Sequence, residues 1–411
     1  MTTRHWRFGF LGFVTIAACA RGMQQRGGEP ASVAPGIEVL LTDSLQLLRG
    51  KRVGLITNHS GRDRRGTSTI DLLFRAPGVR LTALFGPEHG LRGAAQAGES
   101  VQSTTDSATG VPIYSLYGTT YAPTPEMLRD VDVLVYDIQD VGARVYTYEW
   151  TMALSADAAG KLGKKFIVLD RPDPIRGDRV DGNVLEPRFR SFVGQYPVAL
   201  RYGLTAGELL RYLVGSGQVA ADIAVVPMRG WRRAMWWDET GIPWVNPSPN
   251  LRTLAATLLY PGTVFFEGTN ATEGRGTDKP FQLIGAAWLA DAGAIAREMN
   301  ALALPGVHFD STSRTIEPSG GFKFGGQTIP MIDVSVTDKD AVRPVDVGVR
   351  LLRAIYARHR AEWQWRPSID RLAGTDELRQ AVEQGTIDAL LAKWGREASD
   401  WQAQTRKYWI Y

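Results

Sequence analysis

The chain has 411 residues and a mass of 45.2 kDa, which is too long for one ordinary hydrophobic core and predicts two domains. Hydrophobic residues make up 44% of it and charged residues 22%, so the chain can bury enough apolar surface to fold, and wholesale disorder is excluded. The formal charge is only +4, and this balance predicts no nucleic-acid partner although the isoelectric point is near 9.1.

The first 18 residues have the layout of an export signal. Arg4 and Arg7 precede an apolar run over 8–18 that is too short to span a bilayer. Cys19, the only cysteine in the sequence, follows small residues and resembles the cysteine of bacterial lipoprotein signals, which is lipidated and becomes the new N-terminus. We therefore expect a signal peptide over 1–18 and a lipid anchor on Cys19.

A tether is expected over 19–36, because this segment is rich in Gly, Gln, Ser and Pro and has no periodic apolar pattern. The lipid on Cys19 would supply the affinity for a lipid bilayer, and in a Gram-negative cell the domains would face the periplasm. The alternative is a cleaved secretory signal with an incidental cysteine.

Short, nearly continuous apolar runs alternate with helical patterns from residue 37 onward. Such runs are typical of strands that are buried on both faces, so a mostly parallel sheet is predicted. The strands are expected over 53–57, 81–85, 131–137, 166–170 and 223–226, and the helices over 68–75, 124–129, 146–159 and 204–214. The alternation predicts an α/β fold with a Rossmann-like, doubly wound sheet over 37–257. No Gly-x-Gly-x-x-Gly follows the first strand, so no dinucleotide cofactor is expected.

The pattern becomes mixed beyond Pro261 and Gly262. A helix is predicted over 286–302, strands near 307 and over 329–336, and two helices over 376–383 and 387–401. Between them, a long amphipathic helix places Val345, Val349 and Leu352 on one face, as core residues. A smaller α+β domain is therefore predicted over 258–411, completing a cleft with the first domain.

Polar clusters follow several of the predicted strands. They are Asn58-His59, GPEHGLRG over 86–93, DIQDVGAR over 137–144 and DRPDP over 170–174. Each cluster alone is compatible with ordinary turn chemistry. Because the carboxyl ends of parallel strands meet at one edge of a sheet, several such clusters predict a shared active cleft.

Four longer strings carry a family resemblance. FGPEHGLRG over 85–93, YDIQDVGARVYTY over 136–148, WVNPSPN over 244–250 and FEGTNATEGRGTDKPF over 266–281 resemble the NamZ family of exo-β-N-acetylmuramidases. The resemblance implies hydrolysis of terminal, non-reducing N-acetylmuramic acid from peptidoglycan fragments, in cell-wall turnover. Two residues depart from the expected pattern: Val145 stands where a larger aromatic residue is expected, and Asp173 where an Asn is expected. These departures affect the fit of the substrate rather than the class of reaction.

Glycoside hydrolysis needs a proton donor and a group that stabilises the developing positive charge. Glu88 is the best donor candidate, because its irregular turn lets the carboxyl project into a cleft, and the resemblance implies the same role. His89, the next residue along the chain, is also predicted to be catalytic. For the second group we favour Asp137, at the end of a strand, over Asp173, Glu149 and Glu273; assistance by the substrate's 2-acetamido group is a third option.

Muramic acid carries a lactyl carboxylate, which a guanidinium can bind through two hydrogen bonds. Arg92, Arg144 and Arg275 lie in the motif loops, and Arg275 is favoured because Gly274 and Gly276 flank it. The remaining expected substrate contacts are polar groups for the hydroxyls and the acetamide and aromatic faces for the ring. They are Asn58, Gln139, Tyr146, Tyr148, Asn250, Asn270 and Glu273.

No metal ion is expected, because only His59 and His89 lie near the predicted cleft and neither has a second histidine at helical spacing. A serine nucleophile is not expected either, since no Gly-x-Ser-x-Gly string occurs. Two alternatives remain: a non-catalytic lipoprotein that binds cell-wall glycans, and another wall-glycan hydrolase such as an esterase or deacetylase.

Overall fold

The computed structural model describes residues 1–3, 5, 32–88, 90–91 and 104–411. Ser32–Tyr411 form one compact unit and Met1–Ala31 form another, of which residues 1–3 and 5 are described. Cys19 and most of the predicted signal and tether therefore lie outside the described residues. Within the described ranges, no helix is both long and apolar enough to cross a membrane.

A seven-stranded sheet forms the centre of the N-terminal part. The first nine strands are β1 Arg52–Thr57, β2 Arg80–Gly86, β3 Thr104–Thr105, β4 Pro112–Ser115, β5 Val133–Asp137, β6 Lys165–Leu169, β7 Asp181–Val184, β8 Ala199–Arg201 and β9 Ile223–Val226. The sheet has the order β3-β4-β2-β1-β5-β6-β9, in which only β3 runs antiparallel to its neighbour, while β7 and β8 form a separate hairpin. Counted along the chain, the six parallel strands lie in the order 3-2-1-4-5-6 of Rossmann-like folds. The predicted fold class is confirmed.

Both faces of this sheet are buried, which explains the continuous apolar runs. In β1, Val53 and Leu55 belong to the apolar core on one face, and Ile56 belongs to the core on the other. In β5, Val135 belongs to the same core as Val53 and Leu55, and Tyr136 to the same core as Ile56. Helices on each face supply the remaining contacts, as a parallel sheet requires.

Of the five α-helices in the described N-terminal part, the second, third and fourth were predicted, and the first and fifth were not. The five helices are α1 Gly36–Val39, α2 Thr69–Phe74, α3 Tyr148–Lys161, α4 Ala206–Gly215 and α5 Leu254–Thr263. The predicted capping box opens α4: the Thr205 side chain accepts from the Glu208 amide, and the Glu208 carboxylate accepts from the Thr205 amide. The helix predicted over 124–129 is wrong. One hydrogen bond of helical span is present, from the Leu128 amide to the Thr124 carbonyl. The next bonds span only three residues, so the segment forms successive turns.

The C-terminal part is α+β, as predicted. Three antiparallel strands, β10 Leu283–Gly285, β11 Val307–Thr315 and β12 Thr328–Val336, have the order β10-β12-β11. The helices are α6 Ala292–Ala301, α7 Pro344–Arg358, α8 Ile369–Ala373, α9 Glu377–Gln384 and α10 Ile387–Thr405. Val345, Val349 and Leu352 of α7 are fully buried, as the periodicity predicts.

Helix α5 runs across the predicted domain division at 257/258. Its Gly262 packs against Gly348 of α7, where an added Cβ on either glycine would lie within 2.2 Å of a backbone oxygen. The absence of side chains at this crossing lets the two helices approach closely. The division at 257/258 stays a prediction.

Candidate active site

A cleft of about 240 Å³ lies beside the loops that follow β2 and β5 and is closed by the segment after α5. Its polar lining side chains are Glu88, Thr147, Ser248, Asn250, Glu267 and Arg275. Its aromatic lining side chains are Tyr117, Tyr121, Tyr146, Phe192, Tyr260 and Phe281. A carboxyl pair, a guanidinium and several ring faces in one cleft are the groups that a binding site for an acidic sugar needs.

Glu88 lies at the end of the turn that follows β2 and is half-buried. The Thr147 hydroxyl donates a hydrogen bond of 2.6 Å to Glu88 Oε2 and so orients the carboxyl from the loop after β5. Burial, together with the charge of Glu88 and a hydrogen bond to it, raises the pKa of Tyr117 well above its ordinary value. The carboxyl is therefore held between side chains of two loops, facing the cleft.

Glu267 is the second carboxyl that lines the cleft. Arg275 Nη2 donates to Glu267 Oε1 at 2.5 Å, and Arg275 Nε lies 3.1 Å from Glu273 Oε1. Burial raises the pKa of Glu267, while the neighbouring guanidinium acts in the opposite direction. Arg275 also lies over the Phe281 ring, with its central carbon 5.2 Å from the ring centre. These contacts fix the guanidinium at the cleft wall.

Of the predicted substrate contacts, the structure brings Tyr146, Asn250 and Arg275 into the cleft together with Glu88. Tyr146 is almost buried and packs edge-on against Tyr148, with ring centres 4.7 Å apart. Tyr148 itself does not line the cleft, so its predicted role as a sugar platform is wrong: its hydroxyl donates to the Pro247 carbonyl at 3.3 Å, behind Tyr146.

Asp137, the predicted second catalytic group, is corrected by the structure. Its side chain is completely buried and accepts hydrogen bonds from Arg171 Nε at 2.5 Å and from the Thr69 hydroxyl. Arg171 is buried as well, so the two form an ion pair inside the fold. A carboxylate held in this way links β5 to the loop after β6 and does not reach the cleft.

Arg144 is also corrected. Its guanidinium is fully buried and donates to the carbonyls of Asn183 and Val198 at 2.8 Å and of Ala373 at 2.7 Å. Burial lowers the pKa of Arg144 to about 9. The side chain joins β7 and the segment before β8 to α8 and cannot bind a lactyl carboxylate from the cleft.

Two amides also have structural roles in place of the predicted substrate contacts. Asn58 is buried, and its Oδ1 accepts from the amide and the hydroxyl of Ser60 at 2.9 and 2.6 Å, which closes the turn after β1. Gln139 Nε2 donates to the Asp140 and Pro172 carbonyls. Gln139 lines a separate small pocket with Arg171, outside the cleft.

Two predicted contacts of the C-terminal part lie outside the cleft. Asn270 bonds the backbone of Glu362 and Gln364, so it fixes one segment to another. Glu273 lines a neighbouring polar pocket of about 250 Å³ with Lys323, whose ammonium lies 3.1 Å from Glu273 Oε2. Although burial acts the other way, Lys323 and Arg275 lower the pKa of Glu273. Neither side chain lines the cleft, and their roles as substrate contacts stay predictions.

Two other contenders for the second catalytic group, Glu149 and Asp173, lie with Asp140 in a buried acidic cluster. Burial raises the pKa of all three, to about 6 for Asp140 and about 8 for Asp173, with the negative charge of Asp140 adding to the effect on Asp173. The Tyr202 hydroxyl donates to Asp140. None of the three lines the cleft.

His89 and Arg92 lie outside the described residues, so their predicted roles stay predictions. Over the ranges that are described, no group of three or more His, Cys, Asp or Glu side chains is arranged to hold a metal ion.

Several lining residues escaped the sequence analysis. Glu267, Thr147 and Ser248 lie inside the four family-like strings, next to the residues that were predicted for the site. Tyr117 and Tyr121 follow β4, a four-residue strand that was not predicted. Polar or aromatic residues just after each strand of the sheet would have been the signal.

Comparison with known proteins identifies the family of the chain. Residues 53–255 match the family model described as exo-β-N-acetylmuramidase NamZ, N-terminal, and residues 258–411 match the model of its C-terminal part. The chain is 42% identical to the peptidoglycan β-N-acetylmuramidase NamZ of Bacillus subtilis (strain 168) over 404 residues, which is 98% of this chain and 97% of that protein.

Two crystal structures of DUF1343 family proteins from Bacteroides fragilis have the same fold. One is 36% identical with a TM-score of 0.85 and is matched over 92% of this chain and 99% of that chain. The other is 29% identical with a TM-score of 0.73, over 93% and 99%. Since the two family models together match nearly all of the chain beyond residue 52, the chain belongs to the NamZ family.

Proposed function

We propose that this protein is an exo-β-N-acetylmuramidase that releases terminal, non-reducing N-acetylmuramic acid from peptidoglycan fragments. The observation that carries the proposal is the cleft itself, in which Glu88 and Glu267 lie on one surface with Arg275. The Bacillus subtilis relative is named a peptidoglycan β-N-acetylmuramidase, and its identity to this chain extends over almost the full length.

Glu88 is the proton donor in this proposal. Its Oε2 accepts from Thr147, which holds the carboxyl at the cleft, and in this role the carboxyl transfers a proton to the oxygen that joins the two sugars. Protonation of that oxygen lets the bond to the anomeric carbon break, and water completes the hydrolysis.

Glu267 takes the place of Asp137 as the second carboxyl. It is the other carboxyl that lines the cleft among the described residues, and Arg275 fixes its orientation. In this role Glu267 faces the developing positive charge at the anomeric carbon or orients the 2-acetamido group that does so.

Arg275 is the proposed binding group for the lactyl carboxylate. Nη2 is bonded to Glu267, and no hydrogen bond from Nη1 to the described residues is found. Nη1 can therefore donate to a second carboxylate that enters the cleft.

The test is hydrolysis of the disaccharide N-acetylmuramic acid–β-1,4–N-acetylglucosamine by the purified protein, with the N-acetylglucosamine disaccharide as the matched control. We expect free N-acetylmuramic acid from the first substrate and little turnover of the second. Binding of muramic acid glycosides without turnover would favour the non-catalytic glycan-binding alternative. Release of acetate or of an ester-linked group would favour an esterase or deacetylase.

We also propose that the protein is exported and anchored to a membrane through lipidated Cys19. The support is the sequence alone, since Arg4 and Arg7 precede an apolar run that ends in small residues before Cys19. Cys19→Ser should move the protein from the detergent phase to the aqueous phase on phase separation. Equal partition of both forms would contradict lipidation.

A further inference from the structure

Three aromatic side chains, Tyr117, Tyr121 and Phe192, form one wall of the cleft, here called the aromatic wall. The Tyr121 and Phe192 ring centres are 4.1 Å apart at an angle of 32°, and Tyr117 lies 5.7 and 5.9 Å from them. Tyr121 is 38% exposed, and of the exposed large apolar side chains in the described ranges it is the one that lines the cleft. Its ring is therefore open to a ligand.

The aromatic wall and Arg275 belong to separate sets of contacts in the cleft: Arg275 bonds Glu267 and lies over Phe281, whereas Tyr117 of the wall is hydrogen-bonded to Glu88. Besides its burial, Tyr117 has its pKa raised by Glu88 and Tyr121. Burial likewise raises the pKa of Tyr260, where the charges of Glu267 and Glu88 add to the effect and Arg275 acts in the opposite direction. The Glu88 charge thus acts on both tyrosines, whereas Glu267 and Arg275 act on Tyr260.

The position of the proton donor divides a glycoside into two parts. A general acid must lie at the oxygen between the two sugars, so the sugar whose anomeric carbon is attacked lies on one side of Glu88 and the leaving sugar on the other. The attacked sugar is muramic acid, which is anionic and belongs on the side of Arg275. The leaving sugar then lies on the other side, over the aromatic wall.

We propose that the aromatic wall is the subsite for the leaving sugar, an uncharged N-acetylhexosamine ring whose C–H face packs on Tyr121. This inference rests on the proposed function and adds the binding site of the second sugar. The lining residues Val145 and Val193 are apolar, so the subsite fits an uncharged ring better than a charged one.

The experiment compares two substrates that share the muramic acid and differ in the leaving group. One is the muramic acid–N-acetylglucosamine disaccharide, and the other is the β-fluoride of N-acetylmuramic acid, whose leaving group is a single atom. For Tyr121→Ala we expect the ratio of kcat/KM for the disaccharide to kcat/KM for the fluoride to fall at least about tenfold, since the lost contact concerns only the disaccharide. Tyr121→Phe should keep the wild-type ratio, because the ring remains.

Phe74→Ala is the matched control, because Phe74 is an exposed aromatic residue of α2 outside the cleft, and the ratio should not change. Phe192→Ala, checked for an unchanged melting temperature, should lower the ratio in the same direction as Tyr121→Ala. An unchanged ratio in both wall variants, or an equal loss on both substrates, would overturn the subsite. Failure of the wild-type protein to hydrolyse either substrate would instead overturn the proposed function.

Discussion

Glu88, the proposed proton donor, is oriented by its contact with Thr147. The hydrogen bond from the Thr147 hydroxyl fixes a half-buried carboxyl at the cleft surface. We predict that Glu88→Gln lowers kcat on the disaccharide at least about a hundredfold, since general acids contribute roughly this much, and leaves the melting temperature nearly unchanged.

The β-fluoride is the internal comparison for this variant, because fluoride leaves with little help from a proton donor. Its turnover should fall much less than that of the disaccharide. Glu126→Gln, at an exposed glutamate outside the cleft, is the matched control and should behave as wild type. Near wild-type turnover of the disaccharide by Glu88→Gln would remove Glu88 from its role.

Arg275 carries the prediction about specificity. Arg275→Lys keeps the positive charge between Glu267 and Glu273 but loses the fork of the guanidinium. Loss of a charge-assisted hydrogen bond to the lactyl carboxylate costs roughly 1.5–3 kcal/mol, so the preference for muramic acid over N-acetylglucosamine substrates should narrow about tenfold or more.

The measurement is kcat/KM on both disaccharides. Arg366→Lys is the control, because Arg366 is an exposed arginine that lines the neighbouring polar pocket and not the cleft. If Arg275→Lys lowers both activities by the same factor, Arg275 has a structural role in the cleft and does not recognise the lactyl group.

The motif strings predicted a common cleft, and Glu88, Tyr146, Asn250 and Arg275 line one cleft in the structure. The strings could not predict which way each side chain points. Arg144 stands one residue before Val145, which lines the cleft, and yet its side chain points into the fold. Which neighbour faces the cleft depends on the turn geometry and on distant carbonyls, of which that of Ala373 lies 229 positions away. A single sequence carries no local signal for such a partner.

At the scale of elements, the loops that follow β5 and β6 are joined by a buried carboxyl. Asp173 Oδ1 accepts from the Ile175 amide at 3.0 Å, and its side chain packs against Gly142 of the other loop.

The parallel strands themselves were predictable, because burial on both faces demands continuous apolar runs. The hairpin β7–β8 was not predictable, since strands of four and three residues are too short to show a period.

Asp173 gives a prediction about pH and stability. Burial raises the pKa of Asp173 from 3.8 to about 8 in the folded protein, so the folded state holds a proton that the unfolded state releases above pH 4. The free energy of unfolding should therefore fall as the pH rises from about 4 to about 8. Asp173→Asn keeps the acceptor for Ile175 and cannot ionise, so it should be more stable than wild type by at least about 1 kcal/mol at pH 8, with the difference vanishing near pH 4.

Urea unfolding at both pH values measures this difference. Asp400→Asn, at an exposed position of α10, is the control and should follow the wild-type pH dependence. The same fall in stability with pH in wild type and Asp173→Asn would contradict the assignment.

At the scale of the whole molecule, the cleft requires both parts of the chain. Glu88 and Thr147 come from loops of the parallel sheet, while Glu267 and Arg275 follow α5, which packs on α7. The sequence could predict that a cleft would lie at the carboxyl edge of the sheet. It could not show that Glu267, rather than Asp137, would face Glu88's cleft, because that depends on how α5 is held against α7.

The C-terminal residues supply a second connection between the two parts. Tyr411 donates to Asp170 Oδ2 at 2.7 Å and accepts from the Met228 amide at 2.8 Å, so it reaches the end of β6 and the segment after β9. The Ile410 amide donates to Glu208 Oε1 at 2.8 Å, at the start of α4. Trp409 lies over Arg233, with 3.9 Å between the guanidinium carbon and the ring centre.

Deletion of residues 409–411 should therefore lower the free energy of unfolding by at least about 3 kcal/mol, because it removes hydrogen bonds to two buried carboxylates and the ring over a buried guanidinium. Tyr411→Phe removes only the hydroxyl and should cost about 1–2 kcal/mol, since Asp170 keeps its hydrogen bond from Thr205. Urea unfolding measures both values, and Tyr121→Phe, which removes a hydroxyl at an exposed position, is the control. If the deletion variant unfolds at the same urea concentration as the wild type, the C-terminal residues do not stabilise the N-terminal sheet.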